Sequence, residues 1–178
     1  MASLVNAGVI DDASKIWWDI RASARFPTIE MRIADVCTRV EDGITIAALY
    51  ACSLSMLARL RRDNQRWRVY SNMLVQENRW RAQRYGLSRG LVDFGKGCIV
   101  DYPDLLEEVL SLVREDAERL DCVAEVENAR NIVSRGTSAH RQVEIYNDAK
   151  SGGADNPEAL QAVVDWLIDE TMRDVQAA

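Results

Sequence analysis

Residues 15–33 read KIWWDIRASARFPTIEMRI, and the fold turns on how they pair. Lys15–Arg21 and Pro27–Ile33 are rich in β-branched and aromatic residues, and Pro27 stands at the start of its segment, where a strand tolerates it. Residues Ala22–Phe26 between them are few enough for an antiparallel hairpin. Side chains alternate faces along a strand. In the first segment Trp17, Asp19 and Arg21 share one face, opposite Ile16, Trp18 and Ile20. In the second, Thr28, Glu30 and Arg32 lie opposite Ile29, Met31 and Ile33. The wholly apolar face is expected to pack on a core. With the polar faces together, Asp19, Arg21, Glu30 and Arg32 meet on one patch, with Arg25 at its edge. Two readings stay open. Carboxylates and arginine forks suit divalent cations, phosphates and carboxylate substrates. A solvated sheet face with cross-strand ion pairs has the same composition.

Downstream of this pair the periodicity becomes helical. Apolar residues at Ile46, Leu49, Tyr50, Leu54, Leu57 and Leu60 predict a helix over Asp42–Arg62. A second is predicted over Ser71–Tyr85, with Ser71 as N-cap and Gly86 as the stop. LVDFGKGCIV, residues 91–100, predicts a small hairpin turning at Gly95-Lys96-Gly97. Helices follow near Pro103–Leu120 and Cys122–Arg135, with a shorter one after Ser138 and a last one from Pro157 to about Val175. The expectation is an α+β fold in one domain over residues 1–178, with a strand pair at 15–33 and a helical remainder over 42–176. An isolated hairpin is marginal in water. Its sheet therefore calls for strands from another chain or from upstream sequence.

The 178 residues suffice for one domain with its own core. With 22 basic and 28 acidic side chains the formal charge is −6, which disfavours non-specific nucleic-acid binding as the main task. Cys37, Cys52, Cys98 and Cys122 are scattered and His140 is the single histidine, so no zinc-ligand spacing exists. Residues 1–12 lack the basic and long apolar regions of a signal peptide, and no apolar run approaches the ~20 residues of a membrane helix. A cytoplasmic location and reduced cysteines are expected.

The run WWDIRASARFPTIEMRIADVCTRVED resembles the glutamate–cysteine ligase type 2, or carboxylate–amine ligase, family, whose pattern is D-I-R-P-S-x-R-[FY]-P-T-[LIV]-E-[LIVM]-R. ENRWRAQRYG and LVDFGKGCIV before an acidic helix are similar to further family segments, and the likeness covers most of the chain. It implies a partial glutamine synthetase-like antiparallel sheet with helices outside, the chain supplying the C-terminal half only. It also implies ATP and Mg²⁺ as cofactors and a two-step reaction through an acyl-phosphate. By the E-x-R match Glu30 would ligate the metal, and Arg32 would contact the transferring phosphoryl group or the substrate carboxylate. Arg21 and Arg25 match upstream family arginines that would bind phosphates, and Asn78 and Arg81 would line the site. Thr28 stands where the wider superfamily's R-x-E-x-R form has its first arginine, and Ala22 replaces the family proline. The family's further metal-ligating carboxylates belong to its first half. One glutamate alone implies weak or no activity for the isolated chain, with an N-terminal half or a homo-oligomer completing the sheet.

Two alternatives remain at this level: a non-catalytic module derived from such a ligase, and an arginine-rich nucleic-acid-binding protein. For the last, Arg59, Arg61, Arg62, Arg66, Arg68, Arg79, Arg81 and Arg84 lie among Trp67, Tyr70, Trp80 and Tyr85. Arginines paired to acids such as Glu77 and Asp63 on a solvated helix account for the same residues. His140 reads as a surface residue, Trp166 and Leu167 as core or interface, and Gly95-Lys96-Gly97 lacks the spacing of a phosphate-binding loop.

Overall fold

The computed structural model describes residues 2–23 and 25–173, which fall into two compact units, Met1–Val36 and Cys37–Ala178. In the first unit, α1 (Ala2–Asn6) precedes a 3₁₀ turn at Ala13–Lys15 capped by Asp12, whose Oδ1 accepts from Ser14 N at 2.7 Å. β1 (Ile20–Ala22) then pairs antiparallel with β2 (Ile29–Met31), Arg21 lying opposite Glu30. The turn is built on Ser23, whose Oγ accepts from the backbone N–H of Arg25 and of Phe26. Both strands are shorter than the sequence predicts. Among the described residues the ladder has two strands, and its pairing fades past the Arg32 N to Asp19 O bond.

The apolar face of this hairpin departs from expectation. Ile20, Ile29 and Ile33 are each more than half exposed, as is Trp18. Period-two alternation correctly separates the two faces, but among the described residues of the apolar one only Ile16 is buried and Met31 partly so.

The second unit is helical. α2 (Val40–Arg62) and α3 (Asn72–Tyr85) precede a hairpin of β3 (Leu91–Asp93) and β4 (Cys98–Val100), followed by α4 (Tyr102–Arg119). The helix predicted over Cys122–Arg135 is two, α5 (Val123–Glu127) and α6 (Ala129–Arg135). The break is at Asn128, whose side-chain amide donates to buried Thr45 Oγ1 at 2.8 Å and so ties the break to α2. α7 (Ser138–Ser151), longer than expected, pairs with α8 (Asn156–Met172), which opens on a capping box between Asp155 and Glu158. The end expected near Val175 lies outside the described residues.

α2 packs against α4, α5 and α6 around Cys52, Met56, Leu110, Val113, Ala117 and Val126. It is also long and apolar enough to cross a membrane by length and composition, contrary to the sequence expectation. Here it serves as the central core helix, with its basic end pinned to α4. Asp116, fully buried, accepts from Ser55, from Arg59 at 2.8 Å and from Arg119 at 3.2 Å. Burial pushes its carboxyl up, but those bonds outweigh it and hold the group below the usual range. Cys52 and Cys122, 70 residues apart in sequence, lie with sulfurs 3.5 Å apart. Burial first, then Cys122, pushes the Cys52 thiol up to about 12.

Candidate active site

The hairpin register decides the polar face. Because Arg21 and Glu30 are directly opposite, their side chains emerge together. Arg21 Nη2 lies 2.5 Å and Nε 3.1 Å from Glu30 Oε2, a two-pronged contact, while Arg21 Nη1 reaches back to the Ser14 carbonyl at 2.7 Å. Arg32, two residues on along the same face, places Nη2 2.9 Å from the other oxygen, Oε1. Glu30 is thus a carboxylate between two guanidiniums. The Arg21 bond chiefly, opposed by burial and helped by Arg32, holds it below the usual carboxylate range. Arg32 also lies over the Trp17 ring, 5.4 Å from its centroid.

Beside this cluster is a concavity of about 350 Å³ lined by Ser14, Arg21, Ser23, Arg25, Thr28 and Glu30. Arg25 lines it while lying over Phe26, 5.4 Å from the ring centroid. Guanidiniums, hydroxyls and one carboxylate here form a cationic recess suited to oxyanions.

Asn78 and Arg81 belong to the helical unit. Asn78 exchanges two hydrogen bonds with the backbone of Val92, donating to its carbonyl at 2.9 Å and accepting from its N–H at 2.8 Å. Arg81 donates to the carbonyls of Gly90 and Arg89. Both side chains therefore fasten α3 to the β3 hairpin. Gly90 is required there, because a Cβ would stand 2.1 Å from the Val100 carbonyl oxygen.

Much of the arginine-rich stretch is likewise engaged. Arg59 pairs with Asp116 and Glu115, Arg68 pairs with Glu108, and Arg81, Arg84 and Arg89 surround the Tyr85 ring. His140 bonds Thr137 Oγ1 through Nδ1 at 2.8 Å, and its ring lies against Gly86, where φ is +52° and a Cβ would meet the ring at 2.9 Å. The sequence signal for that contact is weak: a glycine after a helix reads as a stop, whatever packs on it.

A divalent cation finds only part of a site in these residues. Glu30 offers one carboxylate, both of its oxygens engaged by arginine, and among the described residues no group of three or more His, Cys, Asp or Glu could hold a metal. Mg²⁺ commonly takes one or two carboxylates and completes its shell with phosphates and water. Glu30 fits as one such ligand and not as the whole set.

The family model described as Glutamate-cysteine ligase family 2 matches residues 1–164. The chain is similar to proteins bearing the provisional name glutamate–cysteine ligase 2 in three bacteria. That of Rhodospirillum rubrum is 59% identical over 169 residues, 95% of this chain and 43% of the relative. That of Jannaschia sp. is 49% identical, covering 94% of this chain and 44% of the relative. That of Paracoccus denitrificans is 48% identical, covering 97% of this chain and 46% of the relative. The chain spans less than half the length of the curated relatives it matches.

Proposed function

The chain belongs to glutamate–cysteine ligase family 2, and on that premise we propose that it forms part of an ATP-dependent ligase joining a carboxylate to an amine, in the cytoplasm. Glutamate and cysteine are the substrates the relatives' names suggest. The observation that carries the reading is the Arg21–Glu30–Arg32 cluster at the edge of the concavity that Arg25 lines.

In the proposed reaction the γ-phosphoryl group of ATP passes to an oxygen of the substrate carboxylate, giving ADP and an acyl-phosphate. The amine attacks the acyl carbon and loses a proton, the amide bond forms, and phosphate leaves with the former carboxylate oxygen. Phosphoryl transfer asks a protein mainly for positioning and for positive charge around the equatorial oxygens. Arg32 and Arg21, held in place by Glu30, supply that charge, and Arg25 reaches the nucleotide phosphates from the turn. Bound Mg²⁺ would neutralise phosphate oxygens, with Glu30 as one protein ligand. Further ligands would come from the segment that completes the sheet over Ile20, Ile29 and Ile33, either the remainder of a ligase chain or another copy. Asn78 and Arg81 act in this scheme by bracing the β3 hairpin.

Titration calorimetry with Mg²⁺ and ATP tests the reading. Saturable binding is expected, weakened about tenfold or more in Glu30→Gln and Arg32→Gln, the scale of a lost charge-assisted bond. Equal affinity in all three proteins, or none in any, contradicts it.

A further inference from the structure

Within the helical unit, a second cavity of about 330 Å³ gathers four arginines: Arg39, Arg135, Arg141 and Arg173. None of its lining residues belongs to the hairpin cluster. That volume falls in the range of small-molecule sites. Like charges do not converge without cause, so the partners of each guanidinium matter.

Glu170, almost fully buried, is held between Arg39 and Arg173, the latter at 2.7 Å. Asp42 accepts from Arg135 at 2.6 and 2.9 Å. These two lining carboxylates leave a surplus of two positive charges in the lining. Among the described residues, Glu41 also pairs with Arg39, at 3.7 Å, and Glu144 with Arg141, at 2.5 Å, while Asp148 lies near enough to Arg141 to act on it. Glu41 and Glu144 stand outside the lining, the first partly and the second largely exposed, and such pairs are weak. An incoming anion therefore competes with solvated carboxylates.

Donors remain for it. A guanidinium carries five N–H groups, and the ion pairs described engage a single nitrogen of Arg135, of Arg141 and of Arg173. Thr38 and Ser138, linked through their hydroxyls at 2.6 Å, add oxygen groups to the wall, and Trp166 adds a flat apolar surface for the rest of a ligand.

We propose that this arginine-lined cavity binds a small molecule carrying two negative charges, as a phosphate monoester or a dicarboxylate. Arg39 is set by buried Glu170 and Arg135 by partly buried Asp42, and the two form the fixed part of the site. Arg141 and Arg173, half exposed, close on the anion from the rim. The proposal is independent of the ligase reading.

The test is calorimetric titration of the full chain at constant ionic strength with inorganic phosphate and, separately, succinate, using chloride as the balancing anion. Saturable binding of at least one is expected, weakened about tenfold in Arg141→Gln, where a charge-assisted bond is lost, and unchanged in Arg68→Gln, an exposed arginine outside the lining of both cavities. Preference for phosphate identifies a monoester, and preference for succinate a dicarboxylate. Arg141→Lys, which keeps the charge without the fork, should bind between the two. Absence of saturable binding to either anion overturns the proposal. So does binding that Arg21→Gln removes and Arg141→Gln leaves intact. Among the described residues the ion pair of Arg141 is exposed, so its replacement keeps the fold, and matched circular dichroism melts check this.

Discussion

The hairpin unit and the helical unit treat their charged and apolar groups in opposite ways. In the helical unit the most buried carboxylate, Asp116, meets three donors, and apolar residues from α2, α4 and α5 close on one another. In the hairpin unit the carboxylate of Glu30 sits on an exposed face between two arginines, and Ile20, Ile29 and Ile33 behind it face solvent. One region spends its polar groups on its own stability. The other holds them where a ligand can reach, on a sheet too small to be stable by itself. Under the proposed scheme, the ligase chemistry falls to the hairpin and the core to the helical unit.

The largest expected effect comes from Asp116→Ala, which strips a buried charge network. It should cost about 3–5 kcal/mol in urea unfolding, because Ser55, Arg59 and Arg119 together lose the buried acceptor they share. Glu30→Gln, by contrast, should leave the unfolding midpoint unchanged. A large loss at Glu30 would break the comparison.

The apolar residues give a second contrast. Leu110→Ala in the core should cost ~2–5 kcal/mol. Ile29→Thr, which keeps β-propensity at an exposed position, should stay within about 0.5 kcal/mol. A loss at Ile29 matching that at Leu110 would mean that the sheet face is covered in solution, and size measurement would then find a larger assembly.

Acid sharpens the picture further. The carboxyl of Asp116 is lowered in the folded chain, so its contribution is fully present above the ordinary aspartate value. It is lost as pH falls through the folded value. Melts from pH 7 downward should show a thermal-midpoint difference between wild type and Asp116→Asn that shrinks below about pH 4. A constant difference would mean that the charge of Asp116 is not what stabilises.

A further effect is expected in alkali. Cys52 is raised from an ordinary 9.0 to about 12, so the folded chain holds a proton that the unfolded one releases, and stability declines across that interval. Cys52→Ala should lose stability less steeply with rising pH than wild type. Parallel profiles would contradict the burial of that thiol.

Much of this was legible in the sequence, and the rest was hidden for physical reasons. The strict alternation of Thr28–Ile33 gave the two faces, and the short Ala22–Phe26 connection gave the antiparallel pairing that joins Arg21 to Glu30. Alternation states which residues share a face and not whether anything covers it, so the exposure of Ile20, Ile29 and Ile33 was invisible. The proximity of Cys52 and Cys122 depends on how α2 and α5 cross, which spacing along the chain does not encode. Asp116 lies beside Ala117 on the apolar stripe of α4, a signal of burial that the surrounding charges masked. The break at Asn128 follows from a tertiary bond to Thr45, which no local propensity carries. The four arginines of the second cavity come from the start of α2, the end of α6, α7 and the end of α8, and only folding assembles them.

The central claim is that Glu30 and its two arginines serve phosphoryl transfer. The most direct measurement is ADP release with Mg²⁺, ATP, glutamate and cysteine. It would be made on the chain alone and on the chain joined to the part of the Rhodospirillum rubrum relative that it does not match, each with and without Glu30→Gln. The expected result is ADP release by the joined protein that needs both amino acids and disappears in Glu30→Gln. Undiminished release in that variant, or none from the joined protein, would contradict the account.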